Sequence, residues 1–261
     1  MTFDPFGDFE TRGYLRNVAK TKDLAVVQRL QHNSFLTGID AGLAHLEARP
    51  SLTYADVLQT HKILFEAVFP WAGEDRLKNA STIFVNKGAV LFAHPNDIRR
   101  AVDYALENGQ DKAFMAEKPG EVMGYLAYGH PFLDGNGRTI MLIHAELARR
   151  AGFSIDWSAT DKDQYLAALT QEIETPGQGK LDAYLKPFIR KGSGKDGLAA
   201  AIKGGAGPRW RQRRCRSWPD PRSGAQGPLR SSGTETQGLT VLTSRQGFLS
   251  SSPPTFRLYG L

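Results

Sequence analysis

Cysteine is nearly absent: Cys215 stands alone among 261 residues. One thiol excludes an intramolecular disulfide framework and a multi-cysteine zinc site, and it fits a reducing compartment. No apolar run approaches the roughly 18 residues that a membrane-spanning helix needs, so no membrane association is expected. The opening MTFDPFGDFETRG is acidic and has no apolar centre, so it does not read as a secretory signal, and a cytoplasmic location is expected. Neither G-x-x-x-x-G-K-[ST] nor H-E-x-x-H occurs, which removes the Walker phosphate loop and the helical zinc site. Internal repeats are absent as well.

Charge is present but unevenly placed. Residues 1–190 carry 21 basic and 24 acidic side chains, whereas residues 191–261 carry 12 and 3. The overall charge of +6 is therefore a property of the tail and gives no reason to expect nucleic acid on the main domain. Within the tail, RWRQRRCRSW interleaves basic and aromatic residues, enough for nonspecific contacts with nucleic acid or acidic surfaces. From about residue 192 the chain is rich in Gly, Arg, Pro and Ser without a sustained period, a composition that predicts disorder.

Ahead of that tail the pattern is helical. Leu24, Val27 and Leu30 recur at helical spacing, as do Leu52, Val57, Leu58, Ile63, Leu64 and Val68 behind a potential N-cap at Thr53. NDIRRAVDYALENG opens on a cap and reaches Gly109, read as a stop, while KPGEVMGYLAYGH starts with a proline suited to a first turn. RTIMLIHAELARRAG, ATDKDQYLAALTQEI and GKLDAYLKPFIRKG complete the set. One segment departs: STIFVNKGAVLFAHP places two β-prone runs around Asn86-Lys87-Gly88, a hairpin signal. The expectation is an all-α domain of six to eight helices with one short β-hairpin.

The densest chemistry lies in GHPFLDGNGRTIML, residues 129–142. His130 ends a helix before Pro131, where an imidazole can protrude and take a proton near neutral pH. Phe132 is the large aromatic that would anchor the turn in the core. Asp134 offers a hard oxygen of the sort Mg²⁺ uses when it also holds phosphates. Gly135, Asn136 and Gly137 allow a tight turn whose backbone N–H groups can nest an anion, and the helix that follows adds free donors and a favourable dipole. Arg138 supplies a planar fork for phosphate oxygens. Base, metal carboxylate and phosphate cradle thus fall within nine residues, His130 to Arg138.

HPFLDGNGR resembles the motif of the Fic domain family, VFPWAGEDR (Val68 to Arg76) resembles that family's Tyr-Pro-Trp-Ala-Gly-Glu segment, and STIFVNKGAVLFAHPNDI falls where Fic domains carry a flap. The resemblance spans roughly residues 50–190 and divides the chain into an N-terminal helical extension (1–49), a Fic domain (50–191) and the basic tail (192–261). It implies transfer of AMP from ATP to a Ser, Thr or Tyr hydroxyl of a target protein, with release of pyrophosphate. His130 would deprotonate the hydroxyl and Asp134 would hold Mg²⁺. Gly135, Asn136, Gly137 and Arg138 would bind the phosphates, and the flap, about Ile83 to Ala93, would register the target by strand addition. Some relatives are toxins, some have a separate small antitoxin, and some act in another cell; each is an implied possibility for this chain.

Other residues read more plainly. Trp71 and Gly73 fit core packing and a turn, His61 and His144 fit structural positions on helices, and His94 beside the flap is open between the two roles. The family motif ends Gly-Arg-x-x-Arg, but its second arginine is replaced here by Met141. In AMP-transferring relatives that arginine meets the distal phosphates and pairs with a glutamate of an inhibitory helix. No intact copy of that helix's motif occurs; Asn33 to Gly38 comes nearest, with Thr37 in the glutamate's place, although LTGIDAGL equally matches the plain first helix of relatives that use an antitoxin. Met141 leaves open a transferase for another nucleotide and a weakly active nucleotide-binding regulator.

Overall fold

Capping side chains and apolar spacing set the helices one by one. A computed structural model of the chain describes residues 16–192 except 83, 88 and 89. The basic tail, and the expectation that it is disordered, lie outside the described residues, as does Ile83.

α1 (Leu24–Glu47) starts where the Asp23 carboxylate accepts from the N–H groups of Ala25 and Val26. Its buried face runs Val27, Gln31, Phe35, Ile39, Leu46, an approximate four-residue repeat that lays the helix against α2. α2 (Tyr54–Phe65) begins at Thr53 in a reciprocal capping box with Asp56, as the sequence suggests. α3 (Arg76–Asn79) is a single turn capped by Asp75. The hairpin follows: β1 (Asn86–Lys87) pairs antiparallel with β2 (Val90–Leu91) in the register Asn86 to Leu91 and Lys87 to Val90. Asn86 and Lys87, expected in the turn, are therefore strand residues.

α4 (Ile98–Gln110) and α5 (Lys112–Glu117) precede α6 (Pro119–Gly129), which has its proline in the first turn. Gly109 does not stop α4. It lies inside the helix, where a Cβ would come within 2.7 Å of the Leu147 Cδ1, so the position is small because another helix crosses close by. That helix is α7 (Asn136–Arg150), buried around most of its circumference between α1, α2, α4, α5 and α6. His144 is fully buried in it, its Nε2 2.8 Å from the Pro119 carbonyl. Glu146 is also buried and meets Arg149 and Arg150 at 2.7–2.8 Å.

β3 (Phe153–Ile155), α8 (Lys162–Glu174), α9 (Lys180–Leu185) and β4 (Ile189–Lys191) complete the described chain. Here the helical reading of GKLDAYLKPFIRKG is corrected. Pro187 lies in a single 3₁₀ turn after α9, and Ile189–Lys191 then pairs antiparallel with β3, making a second two-stranded sheet. Nine α-helices are described, six of them eleven residues or longer. α3 and α5, too short to show a period, account for the excess over the expected range. Among the described residues no helix is long and apolar enough to cross a membrane.

Candidate active site

His130 closes α6 in a left-handed conformation, φ +40° and ψ 57°, which is uncommon for a residue with a side chain. The fully buried Arg76 fixes it. Arg76 Nε donates to the His130 carbonyl at 2.7 Å, Nη2 donates to Ala93 O at 2.7 Å and Gly129 O at 3.5 Å, and its backbone N–H donates to Pro131 O at 2.7 Å. Burial pulls the pKa of this guanidinium down to about 10, with Tyr54 and Asp75 opposing the shift, so it remains a cation at neutral pH. The same cation holds the hairpin, because Ala93 directly follows Phe92 at its exit and also donates its N–H to Tyr128 O at 2.9 Å. Phe92 then stacks on the His130 ring, with centroids 3.9 Å apart. Hairpin and imidazole are thus placed by one buried side chain and one ring contact.

The loop after His130 is locked from inside. Asn136 accepts from the Phe132 N–H at 2.8 Å and donates to the Phe132 carbonyl at 2.7 Å, so its amide is engaged with the loop's own backbone. Phe132 is fully buried, as expected, and stacks on His61 with centroids 3.7 Å apart. His61 accepts the Gly73 N–H at Nδ1 (2.9 Å), which leaves Nε2 as donor to the Asp134 carbonyl at 3.0 Å. Burial lowers its pKa to about 3, against the opposing bond to Asp134 and with help from the Arg138 charge. The ring is a neutral tie between the Trp-Ala-Gly segment and the loop. Trp71 supports it at 5.6 Å and donates to the Arg16 carbonyl at 3.1 Å.

Gly135 sits at φ +78°, and a Cβ there would lie 2.7 Å from Phe65 Cε2, so both backbone and space demand glycine. Its N–H donates to Asp134 Oδ1 at 2.6 Å. Gly137 differs: it is the exposed second residue of α7, with nothing within 4 Å of a built Cβ. No side chain caps α7, which leaves its first-turn N–H groups without a side-chain acceptor at the end of the loop.

Asp134 and Arg138 meet through a residue that sequence reasoning passed over. Gln31, on α1, donates from Nε2 to Asp134 Oδ2 at 2.8 Å and accepts Arg138 Nη2 at Oε1, also 2.8 Å. Its signal in the sequence is a polar residue four positions from both Val27 and Phe35 on an apolar face. Arg138 lies over Phe65 and Phe35, at 5.1 and 5.9 Å, and burial lowers its pKa while Asp134 opposes the shift. Met141, one turn further along α7, packs half-buried against the core. Thr37 is exposed on α1 and its hydroxyl turns back to the Asn33 carbonyl at 2.9 Å. His94 accepts the Asn96 N–H at 3.2 Å and caps a short turn before α4, a structural use.

An imidazole, a carboxylate, a guanidinium and uncapped helix donors thus surround one loop beside an exposed hairpin, a set suited to transfer at a phosphorus atom. The family model of the Fic/DOC family matches residues 51–148. The chain is 29% identical over 174 residues to the protein adenylyltransferase VbhT of Bartonella schoenbuchensis, covering 63% of this chain and 35% of that protein. It is 30% identical over 139 residues to the probable protein adenylyltransferase y4lH of Sinorhizobium fredii, covering 49% of this chain and 69% of that one. Among solved structures, the N-terminal Fic domain of a VirB-translocated effector from Bartonella sp. AR 15-3 superposes with a TM-score of 0.55 at 21% identity, over 71% of this chain and 88% of that one. A Bartonella quintana Fic domain with bound ADP gives 0.54 at 20% identity, over 70% and 93%. At such identities these two likenesses speak for the fold.

Proposed function

The chain belongs to the Fic/DOC family, and on that premise we propose that it transfers AMP from ATP to a hydroxyl side chain of a target protein. The supporting observation is the left-handed His130, tied by Arg76 to the hairpin's exit and placed at the start of the loop that carries Asp134 and leads into α7, where Arg138 stands. Its relatives named as protein adenylyltransferases support the same reading.

The target chain lies along the hairpin edge, whose exposed Phe84 and Leu91 give it an apolar surface. His130 takes the proton of the target hydroxyl. The freed oxygen attacks the α-phosphorus, the bond from that phosphorus to the bridging oxygen breaks, and pyrophosphate leaves. Arg138 and the first-turn amides of α7 hold the phosphate oxygens as charge redistributes. Each Asp134 oxygen accepts one hydrogen bond and keeps acceptor capacity, which fits a Mg²⁺ bound through a single carboxylate and shared with phosphates. When bound, that ion supplies charge neutralisation to the polyphosphate.

Met141 supports a second reading of the nucleotide. A thioether cannot pair with distal phosphates, so discrimination among nucleoside triphosphates rests on other contacts. The test is incubation of the chain and a lysate with ATP labelled at the α-phosphate, against UTP, GTP and CTP in competition. Label on protein that is absent with His130→Ala supports AMP transfer; label retained with His130→Ala removes the proton role.

A further inference from the structure

Gln31 is 3% exposed and is the one polar side chain that α1 buries. An amide in such a place is costly unless both ends find partners, and here both do. The partners also fix its orientation: a guanidinium only donates and a carboxylate only accepts, so the carbonyl faces Arg138 and the NH₂ faces Asp134. The helix that presents it is itself anchored, through the Asp23 cap and through Ser34 Oγ donating to the Leu64 carbonyl at 2.6 Å. Among the described residues no ion pair joins Asp134 directly to Arg138; the Gln31 amide bonds to both, and the two opposite charges attract across it.

We propose that Gln31 is a positioning residue that holds Asp134 and Arg138 apart, each aimed at the nucleotide. This rests on the reading of the site given above. A direct ion pair would direct the guanidinium at the carboxylate instead of phosphate, and the carboxylate at the guanidinium instead of a metal. A neutral amide engages one face of each group and adds no charge where a polyphosphate must sit. Glutamate at position 31 would pair with Arg138 and repel both Asp134 and the nucleotide. Methionine has nearly the same volume and makes neither bond.

The experiment uses the 261-residue chain with Gln31→Met, Gln31→Glu and His130→Ala variants. It combines calorimetry of ATP with and without Mg²⁺, the kcat and KM of AMP transfer, and thermal melting. For Gln31→Met, Kd and KM for ATP rise about tenfold, as loss of a charge-assisted hydrogen bond implies, while kcat stays within about twofold. For Gln31→Glu the rise approaches about a hundredfold. Unchanged ATP affinity in Gln31→Met, with a lower melting temperature or kcat alone, gives the amide only a structural role and overturns the proposal. Tighter ATP binding or faster transfer in that variant means that the amide obstructs the site, and overturns it equally. A wild type that binds ATP but transfers nothing refutes AMP transfer, while the variant affinities still decide the role of Gln31. A wild type that does neither overturns both.

Discussion

Lowering the pH should destabilise this protein through the buried ring of His61. The ring is neutral in the fold, with Nδ1 accepting the Gly73 N–H; protonation would place an N–H against that N–H. Burial holds its folded pKa at about 3, far below the ordinary 6.5 of the unfolded chain. A folded pKa depressed in this way gives stability that is whole above pH 6.5 and declines as pH falls toward 3. His144, buried with a pKa of about 4, behaves alike. Between pH 7.5 and 5.5 each histidine costs about 1.4 kcal/mol, so the pair removes ~3 kcal/mol. The assay is urea unfolding at several pH values across that interval in wild type and His61→Gln. The variant's stability should change with pH by about 0.9 fewer protons near pH 5.5, whatever its absolute stability. A pH slope in His61→Gln equal to that of wild type refutes the neutral tie.

Two further substitutions probe the loop and its supports. Asn136→Ala leaves the buried Phe132 N–H and carbonyl without partners and should cost about 2–4 kcal/mol in urea unfolding; a loss below about 1 kcal/mol would remove the amide as the loop's lock. Arg76→Lys keeps the charge but not the fork that reaches His130, Ala93 and Gly129. It should lower kcat for AMP transfer at least about tenfold and shift the ring resonances of Phe92 and His130, whereas wild-type kinetics would exclude a positioning role.

The motif residues were legible because their chemistry is local: His130, Asp134 and Arg138 fall within nine residues, and the helix that carries Arg138 is plain from its spacing. The supports were not, because they come from far along the chain. Gln31 and Asp134 are 103 positions apart, and nothing in QRLQHNSF announces a carboxylate partner. Arg76 stands in a segment that reads as a turn, and only the fold reveals that its guanidinium meets the carbonyls that end α6. Asn136 looked like a nest residue, yet its side chain closes back on Phe132, a bond that residue type alone does not announce. β4 was hidden behind Pro187: three residues carry too short an alternation to be told from a helix end.

The most direct test of the whole account is transfer of α-phosphate label from ATP to protein by wild type and His130→Ala, with folding of both checked by circular dichroism. Labelled protein and free pyrophosphate are expected with wild type, and a loss of at least about 100-fold with a variant that remains folded. Equal labelling by the two, or no labelling by a wild type that binds ATP, would contradict it.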